Sequence, residues 1–295
     1  MNIAEMTDKI AAGQGFIAAL DQSGGSTPKA LKGYGVDEGA WADEAGMYDL
    51  IHQMRCRIIR SPAFHGDKVI GAILFERTMD GFVDGQPVPH ALIAKGVVPF
   101  IKIDKGLEEE VDGVQLMKPM PELNALLTRA KAMGVFGTKE RSVINSANNQ
   151  GIAAIIAQQF GVAQQVLAHG MMPIIEPEVN IKSATRALCD AMVREEILRH
   201  LDALPAGQRV MLKLSLPVVP GHFDALVAHP AVLRVVALSG GFNRPDACAE
   251  LARNNGVIAS FSRALLEDLR ASMSDAEFDA ALAAAIADIH AASVA

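Results

Sequence analysis

The chain has 295 residues, 50% of them hydrophobic and 21% charged, with a formal net charge of −7. That length suits one large α/β domain or two small ones. The acidic balance, with no dense Lys/Arg patch among aromatics, argues against a nucleic-acid partner. Three scattered cysteines (Cys56, Cys189 and Cys248) do not suggest a disulfide framework, and eight histidines without HxH or HExxH spacing do not suggest a protein-bound metal. The opening MNIAEMTDKI has acidic residues and no apolar core, unlike a signal peptide, and no uninterrupted apolar run reaches the length of a membrane span. A cytoplasmic protein without membrane contact is expected.

Apolar runs then recur along the chain as strand candidates: 16-FIAALD-21, 69-VIGAILF-75, 98-VPFIKID-104, 135-VFGTKERSVI-144, 172-MPIIEPEV-179, 209-RVMLKLSL-216, 232-VLRVVALS-239 and 257-VIASFS-262. Helix-like stretches such as 151–170 and 182–204 lie between them. The last helix is announced by Ser274-Asp275-Ala276-Glu277, a capping-box pattern, with Phe278, Leu282, Ile286 and Ile289 on one face. Alternating strands and helices imply a parallel sheet with helical crossovers. Eight such units fit a closed (β/α)8 TIM barrel, with its active site at the C-terminal mouth of the strands. An open doubly wound sheet would call for a GxGxxG first turn, whereas this one reads 21-DQSGGSTPK-29. No linker or low-complexity tract divides residues 1–295, so a single domain is expected.

The strand ends carry the chemistry. In 209-RVMLKLSLP-217, Lys213 is turned away from the face formed by Leu212, Leu214 and Leu216. An ammonium inside a protein is costly unless paired or deprotonated. Other strands end in the same manner: Asp21, Lys102 with Asp104, Lys139 with Arg141, Glu176 with Glu178, Lys213 with Ser215, Ser239-Gly240-Gly241, and Arg263. Charges two apart share one side of a strand, so in a barrel they point into one mouth. A lysine pressed by neighbouring cations such as Lys139 and Arg141 has neutral amine available to attack a carbonyl and form a Schiff base. Glu176 and Glu178 would then move protons, and Asp21 would hold or deprotonate a substrate hydroxyl. Ser239, Gly240, Gly241 and Arg263 form a candidate phosphate nest, and Ser26, Lys29, Lys102 and Arg141 a second cationic cluster. No cofactor is called for.

The motifs 16-FIAALDQSGGSTPK-29, 101-IKIDKG-106, 173-PIIEPEV-179, 211-MLKLSLP-217, 238-LSGGFNR-244 and 258-IASFSRAL-265 resemble class I (Schiff-base) fructose-bisphosphate aldolases of the short bacterial type. The resemblance runs in family order over nearly the whole chain. It implies reversible, metal-independent cleavage of D-fructose 1,6-bisphosphate to dihydroxyacetone phosphate and D-glyceraldehyde 3-phosphate, in glycolysis and gluconeogenesis. By motif match it makes Lys213 the Schiff-base lysine, Glu176 the proton acceptor assisted by Glu178, and Asp21 the group at the C4 hydroxyl, helped by Lys139. Ser239, Gly240 and Arg263 match the dihydroxyacetone-phosphate end; Ser26, Lys102 and Arg141 match the other phosphate. Two departures stand out. Ala30 follows Lys29 where animal-type members have an arginine, and the sequence ends 291-AASVA-295 where those members end in a tyrosine. A related ketose phosphate as substrate, or a non-catalytic phosphosugar-binding barrel, remain the alternatives. Oligomerisation through the outer helices is compatible with the sequence.

Overall fold

In the computed structural model, which describes residues 1–295, the apolar runs pair side by side in chain order. They are β1 (Phe16–Leu20), β2 (Val69–Leu74), β3 (Val98–Lys102), β4 (Gly137–Ile144), β5 (Met172–Val179), β6 (Val210–Ser215), β7 (Val232–Leu238) and β8 (Val257–Ala259). Every neighbouring pair is parallel. The sheet curls until β1 meets β8, where the Ala19 N–H donates to the Phe261 carbonyl at 3.1 Å. This is a nearly closed (β/α)8 barrel. Several strands stop just before the polar residues begin, so Asp21, Asp104 and Ser239 sit in the loops that follow them, and Arg263 opens the short helix Arg263–Leu266 after β8.

The buried side chains form two shells, divided by the two-residue period of a strand. Leu212, Leu214 and Leu216 belong to the larger shell, between the strands and the surrounding helices. Ile17, Phe100, Ile174, Met211, Val236 and Ile258 form a smaller cluster with Met6 and Ile10 of the helix Ile3–Ala12, which plugs the N-terminal end. Phe100 fills this inner shell so fully that a Cβ at Gly137 would lie 2.9 Å from its ring and 2.2 Å from the Met172 carbonyl oxygen. The strand therefore needs glycine at that point.

The helix Asn149–Ala168 is long and apolar enough, by length and composition, to cross a membrane. Here it is a crossover between β4 and β5, with Ile152, Ile155, Ile156 and Ala163 buried in the outer shell. The capping box at Ser274 is formed: the Glu277 N–H donates to Ser274 Oγ at 3.3 Å and the Ser274 N–H to Glu277 Oε2 at 2.8 Å. Two small features lie outside the expected strands. A hairpin joins Phe82–Val83 to Gln86–Pro87, and Val114–Gln115 runs antiparallel to the end of β4. Asp84-Gly85 turns the hairpin, and Asp112-Gly113 turns the chain between the bridged residues Val111 and Val114; all four have positive φ. Such pairs are a strong short-range hairpin signal.

Candidate active site

Two residues above the inner apolar shell, the same inward positions become charged. Phe100 is followed by Lys102, Gly137 by Lys139, Ile174 by Glu176, Met211 by Lys213 and Ala19 by Asp21. Lys102 and Lys139 are direct cross-strand partners, an arrangement of like charges that needs carboxylates close by. Lys139, Glu176 and Lys213 are at most 4% exposed and Asp21 8%, so the choice of partners decides whether these charges are tolerated.

Those partners form a continuous chain. Lys213 Nζ lies 3.1 Å from Glu176 Oε1, Glu176 Oε2 lies 2.9 Å from Lys139 Nζ, and Lys139 Nζ lies 2.6 Å from Asp21 Oδ2. Beside it, Lys102 Nζ donates to Asp104 Oδ1 at 2.6 Å, and Arg141 pairs with Glu178. The cations Lys102, Lys139, Arg141 and Lys213 are thus matched one for one by Asp104, Asp21, Glu178 and Glu176.

Burial alone would raise the Asp21 carboxyl, but the charges of Lys139 and Lys213 outweigh it and hold Asp21 well below the usual carboxylate range. Glu176 is lowered in the same way: burial opposes, and Lys139 and Lys213 prevail. Burial would lower Lys139, but Asp21 and Glu176 carry it well above an ordinary lysine, so it is a fixed ammonium. Burial lowers Lys102, with Asp104 opposing and Lys139 adding to the fall. One expectation changes here. Cations do not press directly on Lys213, because Glu176 stands between it and Lys139 while Arg141 is taken up by Glu178.

The rim is less uniform. Ser239 is buried at the end of β7, and Gly240 and Gly241 follow with φ of 60° and 122°. A Cβ on Gly240 would come within 2.7 Å of Ile181, and one on Gly241 within 3.6 Å of Arg263 Nη2. The exposed Arg263 guanidinium therefore lies over the backbone of that loop. Ser26 and Lys29 are not brought into contact with the buried centre. The Ser26 hydroxyl donates to the Ser23 carbonyl at 2.8 Å and accepts the Ser23 N–H at 2.9 Å, and both Ser26 and Lys29 are exposed on the helix Ser26–Gly33. A groove of about 720 Å³ on the outer wall, between the helix Glu44–Arg60 and the C-terminal helix, contains none of these residues.

A model of the class-I fructose-bisphosphate aldolases matches residues 2–216, which spans β1 to β6 and so includes Asp21, Lys139, Glu176 and Lys213. The chain belongs to that family. Its fold is similar to that of a fructose-bisphosphate aldolase from Plasmodium falciparum, solved in a ternary complex with TRAP and a small-molecule inhibitor. The TM-score is 0.81 at 18% identity, covering 99% of this chain and 94% of that one. A putative orotidine-monophosphate decarboxylase from Toxoplasma gondii matches at a TM-score of 0.41 and 11% identity, covering 98% and 97%, too distant to inform the site.

Asp104, read with Lys102 from their spacing, is the partner that makes that lysine tolerable in the wall. Two features near the site went unread in the sequence. Glu140, on the outer face of β4, is fully buried, and neither carboxylate oxygen has a hydrogen-bond partner. Burial, with the charge of Asp104 adding, raises it well above the usual carboxylate range. Arg55 is also fully buried, in the helix behind Asp21. Its signal was available: an arginine on the same helical stripe as Ile51, Ile58 and Ile59 interrupts an otherwise apolar face.

Proposed function

We propose that the chain is a Schiff-base aldolase that reversibly cleaves fructose 1,6-bisphosphate to dihydroxyacetone phosphate and glyceraldehyde 3-phosphate, in glycolysis and gluconeogenesis in the cytoplasm. The observation that carries this reading is the buried chain Lys213–Glu176–Lys139–Asp21 at the barrel mouth. Glu176, held as a carboxylate, accepts a proton from the Lys213 ammonium. The free amine attacks the C2 carbonyl of the open-chain sugar, and Glu176 returns the proton to the carbinolamine hydroxyl, which leaves as water. Asp21, held ionised, takes the C4 hydroxyl proton. The C3–C4 electron pair then moves into the protonated imine to give an enamine, and the aldehyde departs. Protonation of C3 and hydrolysis release the second product and regenerate Lys213.

Lys139 remains protonated throughout and keeps both carboxylates in place. With the inner charges matched one for one, a phosphate dianion has to be met from the rim, where Arg263 beside Gly240 and Gly241 suits it. Lys102 and Arg141 serve the second phosphate only by sharing themselves with Asp104 and Glu178, and Ser26 and Lys29 by moving inward. Borohydride reduction of the protein mixed with dihydroxyacetone phosphate and EDTA, followed by peptide mass spectrometry, tests the reading. An adduct on Lys213 is expected. A protein that binds the phosphosugar without forming any adduct would be a non-catalytic barrel. Relative turnover of fructose 1,6-bisphosphate, fructose 1-phosphate and tagatose 1,6-bisphosphate checks the substrate.

A further inference from the structure

Asp21 has a second support that does not come from the lysines. The Arg55 guanidinium is fully buried between the barrel wall and the helix Glu44–Arg60, and it touches no carboxylate. All its hydrogen bonds go to neutral oxygens: Nη1 donates to Thr78 Oγ1 at 2.7 Å, and Nη2 to the Gln22 carbonyl at 2.6 Å and to Gln22 Oε1 at 3.0 Å. A buried cation without a counterion is among the costliest groups a core can hold. Burial pulls this guanidinium down to about 10, and the charge that most offsets the fall is Asp21. A methionine or leucine would serve the helix stripe at less cost, so the position answers a requirement other than packing.

What Arg55 grips is the residue immediately after Asp21. Gln22 passes the grip across the barrel seam: its Nε2 donates to Ser262 Oγ at 2.6 Å and to the Ala19 carbonyl at 3.3 Å. The seam needs such a brace. β1 and β8 share no registered ladder, whereas β1 and β2 are paired along the whole of β1. Asp21 lies just beyond the end of a strand that is laddered on one side only.

We propose that Arg55, acting through Gln22, is a positioning residue that holds the Asp21 carboxylate in reach of the reacting hydroxyl. The assignment rests on the aldolase reading given above. A misplacement of about 1 Å in a reacting group costs on the order of 10²-fold in rate. Arg55→Lys retains the charge but loses the fork that reaches Thr78 with one arm and both Gln22 oxygens with the other, and Gln22→Met retains the bulk and the backbone carbonyl but loses every side-chain polar contact, including the link to Ser262. Both variants are expected to lower kcat for cleavage roughly 10- to 100-fold. Borohydride trapping of saturating dihydroxyacetone phosphate on Lys213 should stay at the wild-type stoichiometry, because Lys213 and Glu176 lie on β5 and β6 and that ligand has no C4 hydroxyl.

A merely structural role would not separate these two readouts. Cleavage within twofold of wild type in both variants would overturn the proposal. So would a parallel loss of cleavage and trapping in protein with a native circular dichroism spectrum. Should Arg55→Lys fail to fold, Gln22→Met alone decides by the same criteria. No adduct on Lys213 in the unsubstituted protein would be a different result: it removes the Schiff-base reading itself, and this assignment with it.

Discussion

The lower and upper halves of the barrel interior are built on the same strands and the same inward positions, yet they are opposite in chemistry. Below, Phe100, Ile174 and Met211 form a dry plug closed by Met6 and Ile10. Two residues higher, Lys102, Glu176 and Lys213 form a charged layer in which Glu176 and Lys213 are buried and Lys102 is half-buried. Strand geometry fixes which residues face inward, and nothing in it distinguishes the two levels. Partners make the difference. Each buried charge in the upper layer has an opposite charge within 3.1 Å, whereas the charged group beside Met211 in the lower layer is its cross-strand partner Arg234, a cation that cannot accept another and that donates to the Ala11 carbonyl. Exchanging residues between the levels tests this directly.

The largest effect is expected from Lys213→Met, which extends the plug upward by one layer. Turnover should be abolished, while thermal stability stays near wild type, because Glu176 keeps Lys139 at 2.9 Å. Its mirror, Met211→Lys, inserts an ammonium beside the Arg234 cation and should destabilise the fold by several kcal/mol. Turnover assays and urea titrations of both variants give the answer. If Met211→Lys proved as stable as wild type, the lower layer would not be the dry plug described here. Next comes Glu176→Gln, which keeps the shape of the middle link and removes its proton-accepting charge. A loss of roughly 10²–10⁴-fold in imine formation is expected, the usual scale for a general acid–base group. A loss under tenfold would place the proton shuttle on another group.

Much of this contrast was legible in the sequence. Period-two alternation alone sets Lys213 opposite Leu212 and Leu214, and the repeated charge-ended strands point to one mouth. Partner choice was not legible. Charges two apart on a strand share a side, but whether Glu176 faces Lys213 or Arg141 depends on strand stagger, which composition does not encode. Hence Lys213 was expected to face cations and instead faces a carboxylate. Ser26 and Lys29 were grouped with Lys102 and Arg141 as a second cationic cluster from the strand-end residues, but the Ser23–Ser26 turn keeps that hydroxyl occupied. The two Asp-Gly turns are hairpin signals, but the segments they join are too short to show an alternating pattern. Glu140 was hidden by its company, since a glutamate between a lysine and an arginine reads as a solvated strand end.

Lys139→Met sharpens the comparison at the level of stability. The fixed ammonium is the group that lets Asp21 and Glu176 share one pocket. Removing it leaves two carboxylates facing each other, at an expected cost of about 3–5 kcal/mol near neutral pH. The sign with pH follows from the directions of shift. In the intact protein both carboxyls are lowered from ordinary values of 3.8 and 4.5. They therefore add stability above that range, and it is lost as pH falls through their folded-state values. In the variant both are pushed up instead, so its deficit should be larger at pH 8 than at pH 5. Urea midpoints at the two pH values measure this, and equal deficits would mean that Lys139 is not what holds the carboxylates low.

Glu140→Gln carries the comparison to the outer shell, where a buried acid is solved by a third route, neither apolar replacement nor ion pairing. With both oxygens unpartnered and no exposure, Glu140 is held in its neutral form. A carboxyl whose folded value is raised binds a proton in the native state after the unfolded chain has released its own. Stability then falls as pH rises from about the ordinary value of 4.5 toward the raised one. The slope approaches about 1.4 kcal/mol per pH unit while the difference is one full proton. Glutamine has the same shape and cannot ionise, so the variant should match wild type near pH 4 and exceed it at pH 8. Melting curves across that interval are the check. A variant that tracks wild type at every pH would show that Glu140 is already charged in the folded protein, and the outer shell would then need a cation that the present arrangement does not place beside it.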